Sequence, residues 1–122
     1  MEYCNLSKEL IICIPELRDK YEQELELWDG EDPGAHNIFG DILNPFLIEA
    51  LHKDADEELL KKVFLFLERM ATSNDSLVQE VLGCTVLERI GDDKVILQKA
   101  KKYMQEETKK ISEEIENGWG RK

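Results

Sequence analysis

The chain reads as all-α: a small armadillo/HEAT-like stack of antiparallel helices, or a simple helical bundle. Three observations predict this. Apolar residues recur at helical spacing through most of its length, and no segment alternates apolar and polar residues as a half-buried strand would. Breakers are scarce, with seven glycines and three prolines in 122 residues. The turns between helical stretches are short, which makes sequential helices antiparallel neighbours. With 42% apolar residues there is material for one core and too little for two, so residues 1–122 are expected to form one domain. No fixed-period repeat is visible, and the length rules out a long solenoid.

The first helical stretch is carried by Leu6, Leu10, Ile14, Leu17, Tyr21, Leu25 and Trp28, which step by threes and fours along one face. Asn5 or Ser7 can cap it. Pro15 lies inside the pattern, removes a backbone donor and crowds the preceding turn, so a kink or a break is expected there. Two glycines and a proline within residues 29–37 mark the longest loop. A second helical region spans about 38–53, interrupted at Asn44-Pro45, where Asn44 is expected to cap a helix with Pro45 in its first position.

The next helix is capped by Asp54 or Asp56 and has Glu57 and Glu58 in its first turn, where carboxylates suit the helix dipole. Leu59, Leu60, Val63, Phe64, Phe66, Leu67 and Met70 occupy most of its circumference, which predicts the central, most buried element. The run from Thr72 to Asp75 ends it and supplies the following cap. Leu77, Val78, Val81 and Leu82 then lead into Val86, Leu87 and Ile90, with Gly83 loosening the helix between them. Gly91-Asp92-Asp93 is a stop and a restart. A single last helix is expected from Lys94 to about Asn117, with 118–122 as a fraying tail.

Acidic side chains outnumber basic ones 27 to 16, for a net charge of -11. That balance disfavours direct contact with nucleic acid and with an anionic membrane. No run approaches the roughly 20 apolar residues that span a bilayer. The N-terminus has no basic stretch, and Leu10–Ile14 is too short for a secretory signal core. Three cysteines argue against a disulfide framework. The apolar neighbours of Cys13 and Cys84 suggest buried, reduced thiols, in keeping with a cytoplasmic protein.

Patterns that carry chemistry are few. There is no phosphate-cradling glycine loop and no nucleophile elbow. His36, in the loop, reads as solvated, and His52, at a helix end, reads as a complement to the dipole. Neither has zinc-ligand spacing. Glu49 and His52 form one Glu-x-x-His pair where a di-iron bundle needs two. The acidic loop lacks the positional pattern of an EF-hand. The sequence therefore implies no enzyme, no cofactor and no metal. The one enzymatic alternative is a Cys–His nucleophile assembled in space from Cys4, Cys13 or Cys84.

The informative feature is where the charge sits. Residues 1–60 hold 16 acids and 4 bases, whereas residues 61–122 hold 11 and 12. Glu16, Asp19, Glu22, Glu24, Glu26, Asp29, Glu31 and Asp32 fall in one short window opposed only by Arg18 and Lys20. In a continuous helix Glu9, Glu16, Asp19 and Glu26 share a face away from the apolar stripe. Glu22 and Asp29 flank that face, and Glu31 and Asp32 extend it. Like charges this close cost roughly a few tenths of a kcal/mol per pair. One reading is a solvated face that keeps a small protein in solution. The other is a surface for a cationic partner, made of Glu16, Asp19, Glu22, Glu26, Asp29, Glu31 and Asp32, with Trp28 as its aromatic anchor. In the last helix, by contrast, Lys99, Lys101, Lys102, Lys109 and Lys110 are interleaved with acids, which reads as a solvated helix with i,i+4 pairs.

Three stretches carry a resemblance: residues 36–46 (His-Asn-Ile-Phe-Gly-Asp-Ile-Leu-Asn-Pro-Phe), residues 64–70 (Phe-Leu-Phe-Leu-Glu-Arg-Met) and residues 86–91 (Val-Leu-Glu-Arg-Ile-Gly). They resemble small helical bacterial proteins, some of which are similar to immunity proteins of contact-dependent growth inhibition and related polymorphic toxin systems. The resemblance covers roughly residues 36–104. It implies an armadillo-like protein that binds and neutralises a nuclease toxin, such as an EndoU-type RNase, and has no catalytic residue of its own. The acidic segment lies mostly outside the resembling region, so its role as the contact is read from charge. A helical adaptor binding some other basic protein is the alternative.

Overall fold

Proline and aspartate set most of the helix ends. In the computed structural model, which describes residues 1–29, 31–54 and 56–119 (the side chain of Trp119 excepted), a 3₁₀ turn over Tyr3–Asn5 leads into α1, Leu6–Cys13. Ile14 then leaves the helix with φ -125° and ψ 73°. The proline that follows disfavours α geometry at the residue before it. A second 3₁₀ turn, Pro15–Leu17, starts α2, Arg18–Leu27. The break expected at Pro15 is therefore present.

The second helical region is one continuous helix rather than two. α3, Ala35–Ile38, widens into a π segment, Phe39–Leu43, and continues as α4, Asn44–His52. Asn44 does not cap a new helix; its backbone N–H donates to the Phe39 carbonyl, closing the π turn. A proline ring normally collides with the carbonyl four residues back. The wider turn ahead of Pro45 gives that ring room, so the helix survives it.

α5, Glu57–Ala71, is capped by Asp56, whose Oδ1 accepts the Leu59 N–H at 3.2 Å. Asp75 caps α6, Ser76–Glu80, which widens into a second π segment, Val81–Leu87, around Gly83 and then returns to α geometry as α7, Glu88–Gly91. Asp93 restarts the chain as α8, Lys94–Lys101, accepting from the Val95 and Ile96 N–H groups. The expected single last helix is split: the chain leaves α8, buries Met104 and begins α9 at Glu106, running to Trp119. The cause is remote in sequence. The Glu68 carboxylate of α5 accepts from the Glu107 N–H at 3.1 Å, the Thr108 N–H at 2.9 Å and the Thr108 hydroxyl at 2.8 Å, and so supplies the N-terminal cap of α9. Gly118 and Trp119 are helical, and the rest of the expected tail lies outside the described residues.

The fold is all-α, with no strand among the described residues. α5 is the central element, burying Leu60, Val63, Phe64, Phe66, Leu67, Met70 and Ala71. Leu6, Leu10, Ile14 and Leu17 cover it from one side, and α9 packs along it and against the second π segment. Phe39 stacks on Phe66 and Phe64 on Tyr103, with centroids 6.3 and 5.9 Å apart. Each fully buried large apolar side chain contributes about 1.5–3 kcal/mol over its exposed state. The two π segments meet at Asn44, which is buried and donates from Nδ2 to the Thr85 carbonyl at 2.9 Å. No helix among the described residues is long and apolar enough to cross a membrane.

The cysteines depart from expectation. Cys4 and Cys84 are exposed, Cys13 is half-buried, and all three are free thiols. Apolar sequence neighbours say little about a helical side chain's direction, because consecutive residues do not share a face.

Candidate functional site

α2 is the least embedded of the longer helices. None of Arg18–Leu27 is buried, and only Tyr21, Glu24 and Leu25 reach even the half-buried range. The apolar stripe explains this. Its Leu6, Leu10, Ile14 and Leu17 members have no exposed surface, but the break at Ile14 redirects the helix. Tyr21 and Leu25 then only lean on the body, and Leu27 is left 80% exposed.

The same break divides the acidic face. Glu9 and Glu16 do not continue into the acids of α2. Both turn toward α5: Glu9 lies 3.6 Å from Arg69 and Glu16 3.1 Å from Lys62. Glu9 and Glu16 are seven residues apart, as are Lys62 and Arg69, and the order of the partners is reversed, so the two pairs register α1 and its following turn antiparallel to α5. Exposed pairs of this kind contribute about 0–1 kcal/mol each. The expectation that Glu9, Glu16, Asp19 and Glu26 share one face is therefore corrected, because it assumed a continuous helix.

Asp19, Glu22 and Glu26 remain as an exposed stripe along α2, spaced by three and four residues. No ion pair involving them is present among the described residues. Trp28, 40% exposed, donates from Nε1 to the Glu24 carboxylate at 3.2 Å. Asp29 is exposed at φ 52°, a left-handed geometry that aspartate tolerates better than most residues. Glu31 and Asp32 are exposed, and Asp32 accepts the Gly34 N–H at 2.9 Å, which shapes the loop as Gly34 turns at φ 85°. The structure thus gathers Asp19, Glu22, Glu26, Trp28, Asp29, Glu31 and Asp32 along α2 and the loop after it, and leaves Glu16 at the margin, engaged by Lys62.

Sequence reasoning missed the apolar lining beside this edge. A cleft of about 360 Å³ lies between α1 and α2, walled by Ile11, Ile12, Tyr21 and Leu25. Ile12 is 73% exposed on its lip. The signal was present: Leu10-Ile11-Ile12 covers more of a helix than one buried stripe, so one of the three must face out. Leu65, 53% exposed on α5, was missed in the same way.

Elsewhere the chemistry is sparse. Although Cys84 is exposed, partial desolvation by its surroundings raises its thiol above the ordinary range, and the carboxylates of Glu88 and Glu80 push it further, which lowers its thiolate fraction at neutral pH. His36 Nδ1 lies 2.5 Å from the Thr85 hydroxyl. His52 closes α4, and its carbonyl accepts from Lys99 Nζ at 3.1 Å. No group of three or more His, Cys, Asp or Glu among the described residues is placed to hold a metal ion.

Residues 7–120 match the family described as a domain of unknown function, DUF7674, and the chain belongs to it. No curated protein matches, and no solved structure does.

Proposed function

We propose that this member of the family is an immunity protein, one that binds a cationic nuclease toxin and occludes its active site with the acidic edge of α2 and the loop that follows. The observation that carries the reading is the stripe of Asp19, Glu22 and Glu26, exposed and outside any ion pair among the described residues, on a helix that buries no residue of its own. Acids that served only the fold would be paired, as Glu9 and Glu16 are. A nuclease presents a basic groove to its phosphate substrate, and an acidic edge competes for that groove while adding no chemistry. Complementary charge of this kind raises association rates and penalises wrong partners. The resemblance to immunity proteins of polymorphic toxin systems supports the same assignment. Such a partner is met in the cytoplasm, where three free thiols stay reduced.

The test is co-expression with the product of the adjacent reading frame, which this reading expects to be a nuclease toxin. The wild-type protein is expected to protect the cells and to co-purify with the toxin. Simultaneous lysine substitution of Glu22, Glu26, Asp29 and Asp32 is expected to abolish both while leaving the helical circular dichroism intact. Protection that survives those four changes overturns the assignment of the surface. Binding to the toxin without protection assigns the protein to the adaptor class instead.

A further inference from the structure

The α1/α2 cleft lies against the acidic edge, and the two share Glu22. Its walls, Ile11, Ile12, Tyr21 and Leu25, are apolar, and its opening faces solvent. Charge is unevenly divided around it. Glu22 is the one acid in its lining, with Asp19 and Glu26 three and four residues away along α2, whereas Lys8 and Arg18 stand on the rim. Ile12 on the lip is 73% exposed, and no other described residue covers it.

We infer that this cleft receives one large apolar side chain of the cationic partner protein, flanked on the partner by Lys or Arg residues that lie along the α2 carboxylates. This rests on the reading of α2 as a partner surface and adds what that reading lacks, an anchor. Charge alone gives fast, salt-sensitive encounter, whereas a desolvated apolar anchor slows dissociation. The polarity of the rim also sets an orientation. The partner's positive charges meet Glu22 and its neighbours, and the segment that passes Lys8 and Arg18 is neutral or acidic.

Two synthetic peptides test this, an octapeptide with Lys and Arg residues on one side of a Trp and neutral residues on the other, and the same peptide with Ala in place of Trp. Binding to the full chain is read by fluorescence anisotropy and by NMR shifts of the Ile12 and Leu25 methyl groups. The Trp peptide is expected to bind roughly tenfold more tightly, in line with burial of one large apolar side chain. It alone should shift those methyls. Ile12→Ser, at a position exposed enough to leave folding unchanged, is expected to close the gap between the peptides. Glu22→Lys with Glu26→Lys is expected to weaken both peptides equally. Equal affinity of the two peptides, a gap that persists in Ile12→Ser, or no binding of either peptide overturns the cleft assignment. The first two results leave the proposed function standing if the charge variants still weaken binding. Charge variants that bind both peptides as well as wild type count against the α2 surface itself.

Discussion

Glu68 is one carboxylate that fixes where a helix begins. It accepts from two backbone N–H groups and one hydroxyl at the start of α9, 39 and 40 residues away in sequence. Removing an N-cap of this kind costs about 1–2 kcal/mol. Glu68→Ala is expected at the upper end, because Thr108 is fully buried and its hydroxyl loses its partner. Urea denaturation should record the loss, and hydrogen exchange should place it in the first turn of α9. Asp75 makes a comparable junction. Its carboxyl is held below the usual carboxylate range by hydrogen bonds from the backbone N–H groups of Tyr3 and then Leu77, so it ties the N-terminal segment to the start of α6. Because the folded-state pKa is depressed, this contribution is complete above the ordinary aspartate value. It is lost as pH falls through the folded value, and its sign favours the folded state at neutral pH. Stability measured from about pH 5 down to about pH 2 is expected to fall less steeply in Asp75→Asn than in wild type. An identical slope in both would remove Asp75 from the acid response.

At the scale of elements, the two π segments mark where tertiary contact has overridden simple helix geometry. Asn44 sits at the end of one and donates to Thr85 in the other. Asn44→Ala leaves a carbonyl without that donor in a packed interface, and a cost of about 1–3 kcal/mol is expected from thermal or urea melts. Gly83 behaves differently. An added Cβ there meets Ile115 Cδ1 at 3.6 Å and Ile111 Cγ2 at 3.9 Å, which is ordinary contact. Gly83→Ala is therefore expected to stabilise the protein by about 0.4–1 kcal/mol, through the entropy of the unfolded chain. A loss of stability would mean that the π geometry itself depends on glycine. What the sequence made legible divides along the same line. The caps at Asp56, Asp75 and Asp93, the break before Pro15 and the central α5 depend on residues within a turn of one another. The continuity through Pro45 and the split before α9 depend on partners some 40 residues distant, Thr85 and Glu68, and no local pattern announces them. The acidic site was legible as composition. Its geometry was not, because the face that joined Glu9 to Glu26 on paper is cut at Ile14, and the cleft beside it forms only where α1 and α2 meet.

Across the whole molecule, stability and binding are set against each other at α2. The N-terminal half carries nearly all of the net charge of -11, and α2 concentrates it on a helix with little burial to offset the repulsion. A surface kept only for solubility would tolerate a better arrangement. Lysine at position 26 would stand four residues after Glu22 and two turns clear of Arg18, replacing the Glu22–Glu26 repulsion with a pair worth about 0.2–0.5 kcal/mol. Because α2 buries no residue and only leans on the body through half-buried side chains such as Tyr21 and Leu25, that gain should appear as local protection rather than as a shift in global unfolding. Glu26→Lys is therefore expected to slow amide exchange across α2 at low ionic strength, with the advantage fading as salt screens it. The same substitution is expected to reduce the association rate with the cationic toxin domain and to flatten its salt dependence. A helix made firmer by a change that makes it bind worse is the signature of carboxylates retained for a partner. Should Glu26→Lys firm α2 and leave association untouched, the charge on this helix serves the free protein alone.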